Sequence, residues 1–297
     1  MKNFKEIIDI LNYRGYLRFI SDERWIKYKY KQVFGRKLNL DNPKTFNEKL
    51  QWIKLNYRNP VCSVMVDKIE AKNYVGKIIG EEYIIPTLAV WDSFEEIDWN
   101  LLPNQFVLKC NHDSGGLVIC RDKTSLNKGT AKNKIQKCLK TNYFWHGREW
   151  VYRDVKPQIL AEKYMEDSKN KQLSDYKFYC FNGEVKFLYV SSGMENHHTA
   201  RVGFYDLCFK KMPFKRMDYL TFEKDPEKPK HFEEMIKIAE KLSTGFPFLR
   251  VDLYEINDRV YFSELTFIPC SGLMVVNPEK WDSIMGDWLV LPINSNL

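Results

Sequence analysis

LRVDLYEINDRVYFSEL, residues 249–265, is the stretch whose reading decides the fold. Two runs rich in Val, Leu, Tyr and Phe flank Asn257-Asp258, so it predicts a long antiparallel strand pair. Asp252 and Glu264 fall on opposite strands of that pair and can face each other across the sheet. Two hard oxygen donors held in this way suit Mg2+, which takes one or two carboxylates and fills its shell with phosphate and water. Arg250 shares a face with Asp252, because side chains two apart in a strand point the same way. From these three residues alone, a structural salt bridge on a sheet surface reads equally well.

Working outward, KFYCFNGEVKFLYV (177–190) predicts two strands around Asn182-Gly183, a strong hairpin signal, and residues 201–211 suggest another hairpin. PQILAEKYM (157–165) reads as a strand, and FVLKCNHDSGGLVIC (106–120) as two strands joined by HDSGG. Helical spacing marks 130–141 and 231–243, the latter with Phe232, Met235, Ala239 and Leu242 on one face. The first 80 residues read as helical: TFNE (45–48) is a capping box, and Asp67 caps a helix running to about Ile79 and stopped by Gly80. YIIPTLAVW (83–91) has the proline-marked character of an edge strand. The class is α+β, antiparallel sheets covered by helices on one side.

A chain of 297 residues, 44% hydrophobic, can bury a sizeable core in two or three subdomains. Its net charge of +7 is compatible with nucleic acid, an anionic membrane face, nucleotides or acidic sugars. The basic excess is densest in RWIKYKYKQVFGRK (24–37), which reads as a solvated helix face with its aromatics in the core, or as a surface for a polyanion or membrane. Cys62, Cys110, Cys120, Cys138, Cys180, Cys208 and Cys270 form no CxxC and no Cys/His cluster. Neither a disulfide framework nor a structural zinc site is indicated, and reduced cytoplasmic thiols are expected. No stretch approaches the roughly 20 apolar residues of a membrane span. GxxxxGK, GxGxxG and HExxH are all absent. In HDSGG, Gly115 and Gly116 remove two Cβ atoms and free their φ angles, which lets backbone N–H groups converge on an anion, although a glycine pair is also an ordinary turn.

Taken in order, Lys109, the glycine loop, Glu162, Lys177, Arg250, Asp252 and Glu264 resemble the ATP-grasp superfamily. TFNEKLQWIK, DKIEAKNYVG, GEEYIIPTLAVWDS, VLKCNHDSGG, ILAEKYM and RVDLY…YFSELTFIPCSGL are similar to its teichuronopeptide-biosynthesis (TupA-like) branch over about residues 40–290. The resemblance implies an ATP-grasp fold with ATP and Mg2+ bound between two subdomains. That gives a helical segment at 1–80, an N-terminal lobe with the glycine loop at 81–156, and a C-terminal lobe with the metal site at 157–297. It implies nucleotide contacts from Lys109, Ser114, Gly115, Gly116, Glu162, Lys163, Tyr164, Asp175 and Lys177, with Glu162 at the adenine or ribose. Asp252, Glu264 and Thr266 would be metal ligands, Thr266 standing where the superfamily has asparagine. Lys177 and Arg250 would be the catalytic cations.

Members of this branch tend to sit in surface-polysaccharide gene clusters. The resemblance therefore implies a bacterial, cytoplasmic ligase, ADP-forming, that passes through an acyl phosphate. It would join a carboxylate-bearing sugar or glycan, such as a uronic acid, to an amine such as an amino acid or amino alcohol. A sugar kinase and a glycosyltransferase are the rivals; the latter usually carries DxD, which is missing here. No nucleic-acid partner is expected, whereas the basic N-terminal helices suggest contact with the inner membrane face or a biosynthetic complex. For the acceptor, YFWHGREWVYRDV (143–155) offers Arg148 and Arg153 beside aromatic rings, or merely core. MENHHTARVG (194–203) offers His197, His198 and Arg201, and Ser271-Gly272 could present backbone N–H groups to a carboxylate.

Overall fold

Local signals start the helices and hairpins of this computed structural model, which describes residues 4–168, 173–194 and 198–292. The Thr45 side chain accepts from the Glu48 N–H while Glu48 reaches back to the Thr45 N–H, closing a capping box. Asp67 Oδ1 accepts from the Ile69 N–H at 2.8 Å at the start of the next long helix. Asn182 and Gly183 both adopt positive φ, 51° and 86°, as a two-residue I′ hairpin turn requires.

The helices are α1 (Phe4–Tyr13), α2 (Asp22–Phe34), α3 (Phe46–Asn56), α4 (Val61–Val66), α5 (Glu70–Ile79), α6 (Lys128–Leu139), α7 (Phe144–Gly147), α8 (Phe232–Ser243) and α9 (Lys280–Trp288). The strands are β1 (Thr87–Trp91), β2 (Phe106–Cys110), β3 (Leu117–Cys120), β4 (Ile159–Lys163), β5 (Asp175–Phe181), β6 (Glu184–Ser192), β7 (Arg201–Tyr205), β8 (Lys215–Arg216), β9 (Phe248–Glu255), β10 (Val260–Thr266) and β11 (Val276–Asn277). They fall into two compact units: Met1–Ser21, Pro60–Tyr74 and Ile84–Met165 in the first, and Asp22–Asn59, Val75–Tyr83 and Glu166–Leu297 in the second.

In the first unit an antiparallel sheet of order β1-β4-β2-β3 buries Phe106, Leu108, Ile159 and Ala161 with Ile135 and Cys138 of α6. β1 is an edge strand, as the proline before it suggests. The second unit is built on the antiparallel order β10-β9-β5-β6-β7. α8 covers one face, where Phe178 meets Phe232 with ring centroids 6.0 Å apart. On α3, Phe46 packs against Tyr179, Phe181 and Phe248.

Two boundaries differ from those read in the sequence. β4 hydrogen-bonds to both β1 and β2, so the first unit reaches Met165 rather than residue 156. The first 80 residues are largely helical but are no segment of their own, since α1 and α4 belong to the first unit and α2 and α3 to the second. In α2, Trp25, Ile26 and Tyr30 are buried while Lys27 and Lys31 are exposed, the ordinary arrangement of an amphipathic helix. Among the described residues no helix is long and apolar enough to cross a membrane.

Candidate active site

Register across the five-stranded sheet aligns the charged residues of the second unit. Glu264 opposes Asp252, Asp252 opposes Lys177, Lys177 opposes Tyr189, and Tyr189 opposes Phe204, so one row crosses all five strands. Opposed residues share a face, which places this row on the side away from α8. Glu264 joins it because a β-bulge at Ser263 shifts the register; unbroken pairing from Val260–Glu255 would set Ser263 opposite Asp252. In the next row Arg250 opposes Thr266 and Tyr179.

Asp252 is fully buried. Its two oxygens accept from Arg250 Nε and Nη2, both at 2.7 Å, and from Lys177 Nζ at 2.6 Å. Lys177 also lies 3.2 Å from Asp175, and Arg250 Nη2 lies 3.7 Å from Glu264. Burial alone would neutralise these groups, but they hold one another charged. Against that burial, Asp175 and Asp252 raise Lys177 well above its ordinary value, and Asp252 does the same for Arg250. Arg250 and Lys177 together keep Asp252 below the usual carboxylate range. For Asp175 burial prevails and raises the carboxyl, and its Oδ1 has no hydrogen-bond partner among the described residues. Three carboxylates against two cations leave one negative charge over if Asp175 is ionised. Among the described residues no group of three or more His, Cys, Asp or Glu is arranged to hold a metal. Asp252 and Glu264 face each other with the Thr266 hydroxyl in the adjoining row, and of the two carboxylates Asp252 is already taken up by Arg250 and Lys177, so a divalent cation drawing on both would have to share Asp252 with those two cations.

A second charged centre lies within the first unit. Glu162 on β4 is buried, accepting from Lys72 of α5 at 2.6 Å and from Lys109 at the end of β2 at 2.5 Å. Burial acts to raise its carboxyl, but the two ammonium groups outweigh it and hold the pKa at about 2. Glu162 thus anchors Lys109. Its neighbours differ: Lys163 is exposed, with its N–H donating to the Pro86 carbonyl, and Tyr164 is half-buried.

The HDSGG loop next to Lys109 has a fixed root and an exposed tip. Asn111 bonds to Asp67, the Lys156 carbonyl and the Gln158 N–H; His112 bonds to the Cys138 and Thr141 carbonyls; and Lys68 Nζ donates to the Asp113 carbonyl. Ser114 and Gly115 form the tip, with Ser114 Oγ 3.1 Å from Tyr143 Oη. The glycines serve differently from the sequence expectation, since neither takes positive φ. The Gly116 N–H is committed to Asp113 Oδ1 at 3.0 Å, and a Cβ there would sit 2.6 Å from Cys110 Sγ. Close packing requires glycine at 116, while a Cβ at 115 would meet only ordinary contacts of 3.7 and 3.8 Å.

Several expected acceptor residues are engaged elsewhere. Arg148 is buried, bonded to Asn12 Oδ1 and the Leu17 and Ile20 carbonyls and laid over the Trp145 ring at 4.4 Å. It clamps the chain after α1 because its planar guanidinium satisfies several oxygens that have lost water. Arg201 bonds to the Thr221 carbonyl and Glu223. The Ser271 N–H donates to the Ile268 carbonyl, and the Ser271 and Gly272 carbonyls accept from Gln51 and Lys54 of α3, so this turn docks a helix. Glycine is required at 272 by its φ of 64° and by Gln51 Nε2, which a Cβ would approach to 2.6 Å. His197 lies outside the described residues. Lys68 and Asn111 hold the root of the loop and Lys72 holds Glu162; in the sequence Lys68 and Lys72 lie in DKIEAK, where helix capping masks any other reading.

The family model for the TupA-like ATP-grasp proteins matches residues 48–290. The chain belongs to this family. Among solved structures, this ATP-grasp chain is similar to the D-alanine–D-alanine ligase of Bacillus anthracis, with 17% identity over 76% of the chain and 66% of the ligase at TM-score 0.42. It is similar to that of Helicobacter pylori with 16% identity over 77% and 62%, TM-score 0.41. A RimK domain ATP-grasp protein of Sphaerobacter thermophilus shares 10% identity over 91% and 96%, TM-score 0.42. The chain thus spans 66% and 62% of the two ligases. No curated protein matches it.

Proposed function

We propose that the chain is an ATP-dependent carboxylate–amine ligase that joins a uronic acid, or another carboxylate-bearing sugar, to an amine during surface-polysaccharide synthesis in the bacterial cytoplasm. The observation that carries this reading is the row Glu264–Asp252–Lys177 with Arg250 beside it, in a chain of the ATP-grasp family. A carboxylate is a poor electrophile, and activating it brings together two anions; charge neutralisation and alignment matter more than covalent participation. When bound, ATP would supply the phosphoryl group that turns the carboxylate into an acyl phosphate with release of ADP, and Mg2+ would offset the phosphate charge. The amine then adds to the acyl carbon, phosphate departs with the former carboxylate oxygen, and the amine proton goes to solvent.

The chain's residues divide this work. Asp252 and Glu264, with Thr266, would hold the metal, and Lys109 would face the phosphates beside the tip at Ser114 and Gly115. Lys177 and Arg250, held in place by Asp252, present positive charge to the reacting carboxylate without rearrangement. No enzyme nucleophile is needed, and Cys62, Cys110, Cys120, Cys138 and Cys180 are buried as packing residues. ADP release should require an acidic sugar and an amine together and should disappear in Lys177→Ala that has kept its circular-dichroism spectrum. ADP formed with a neutral sugar and no amine would replace this reading with a sugar kinase.

A further inference from the structure

We infer that Lys72 is a positioning residue of the nucleotide site: it neutralises Glu162 and so leaves the Lys72–Glu162–Lys109 cluster with its net positive charge at Lys109. The inference rests on the ligase reading, in which Lys109 meets nucleotide phosphate. Lys72 Nζ has three donors, and each has an acceptor: the Ile85 carbonyl at 2.7 Å, Thr87 Oγ1 at 3.1 Å and Glu162 Oε1 at 2.6 Å. Its side chain is 10% exposed, against 24% for Lys109 on the other oxygen of the same carboxylate. Lys72 is thus walled in and cannot itself meet a ligand, whereas Lys109 reaches solvent beside the glycine loop. Two ammonium groups and one carboxylate sum to one positive charge. Without Lys72 the sum is zero, and Glu162 draws on Lys109 alone. A buried carboxylate facing a single lysine would hold that lysine against it and weaken its attraction for phosphate.

Charge arithmetic separates this role from packing. Lys72→Met brings the cluster to zero, while Lys72→Met combined with Glu162→Gln restores one positive charge on Lys109. Affinity for a non-hydrolysable ATP analogue with Mg2+ is measured by titration calorimetry on wild type, both single variants and the double, with circular dichroism as the check on folding. Lys72→Met should weaken binding on the order of tenfold when Glu162 is present, and by less than about threefold when Glu162 is already glutamine, so that any direct effect of Glu162 on the nucleotide cancels in the comparison. Wild-type affinity in Lys72→Met, or an equally large loss from Lys72→Met in the Glu162→Gln background, would overturn the inference. Should Lys72→Met not fold, the comparison passes to Glu162→Gln with and without Lys72. Agreement within about threefold supports the inference and a larger loss overturns it. If wild type binds no nucleotide, the ligase reading falls and takes this inference with it; if wild type binds and Lys72→Met is indifferent, only this inference falls.

Discussion

Replacing Glu162 with glutamine should remove a defined part of the protein's acid sensitivity. The Glu162 carboxyl titrates at about 2 in the folded chain against an ordinary 4.5, since Lys109 and Lys72 more than offset its burial. A group with a depressed folded pKa stabilises the fold above its unfolded pKa, and that contribution fades as pH falls toward the folded one. The shift corresponds to about 3 kcal/mol in full. Linkage puts the loss at about 0.8 kcal/mol by pH 4, about 2 by pH 3 and about 3 by pH 2. Urea unfolding of wild type and Glu162→Gln, followed by tryptophan fluorescence at pH 5, 4 and 3, isolates this group, since the other titrating groups cancel in the difference. The stability gap between the two proteins should narrow by about 2 kcal/mol from pH 5 to pH 3. A gap that stays constant over that range would refute the two-lysine clamp.

Four further substitutions have defined outcomes. Asp252→Asn leaves Arg250 and Lys177 buried with one counter-charge removed, so denaturant unfolding should register a loss of about 3–5 kcal/mol; unchanged stability would contradict the buried ion cluster. Gly116→Ala forces a Cβ against Cys110 and should lower stability by about 1–3 kcal/mol, whereas Gly115→Ala should be nearly neutral in the same melt. Arg148→Ala breaks the clamp on the chain after α1 and should cost about 1–3 kcal/mol, while the KM for an acidic acceptor stays at its wild-type value in the folded fraction.

Much of the architecture is legible because its signals are local. The Thr45–Glu48 box, the Asn182-Gly183 turn and the proline before β1 each act within a few residues, and each forms as expected. The facing of Asp252 and Glu264 was also readable, but its cause was not: it depends on a bulge at Ser263, and nothing in the alternation of that strand announces an extra residue. Long-range satisfaction of polar groups was least readable. Arg148 in an aromatic stretch has the composition of a sugar site, yet burial turns it into a clamp on backbone carbonyls contributed from residues 17 and 20. Gly116 looked like a phosphate cradle, and its reason is the Cys110 thiol beneath it. Lys72 was invisible because its partners, Ile85, Thr87 and Glu162, come together only once β1 has paired with β4.

The most direct test of the ligase account follows the carboxylate oxygen. With an acceptor acid labelled by 18O in its carboxylate, supplied with ATP, Mg2+ and the amine, the released inorganic phosphate is analysed by mass spectrometry. The account predicts one 18O atom in each phosphate released, because the oxygen that attacks phosphorus leaves with it when the amide forms. Unlabelled phosphate accompanying amide product, or phosphorylated sugar that has kept both labels on its carboxylate, would contradict it.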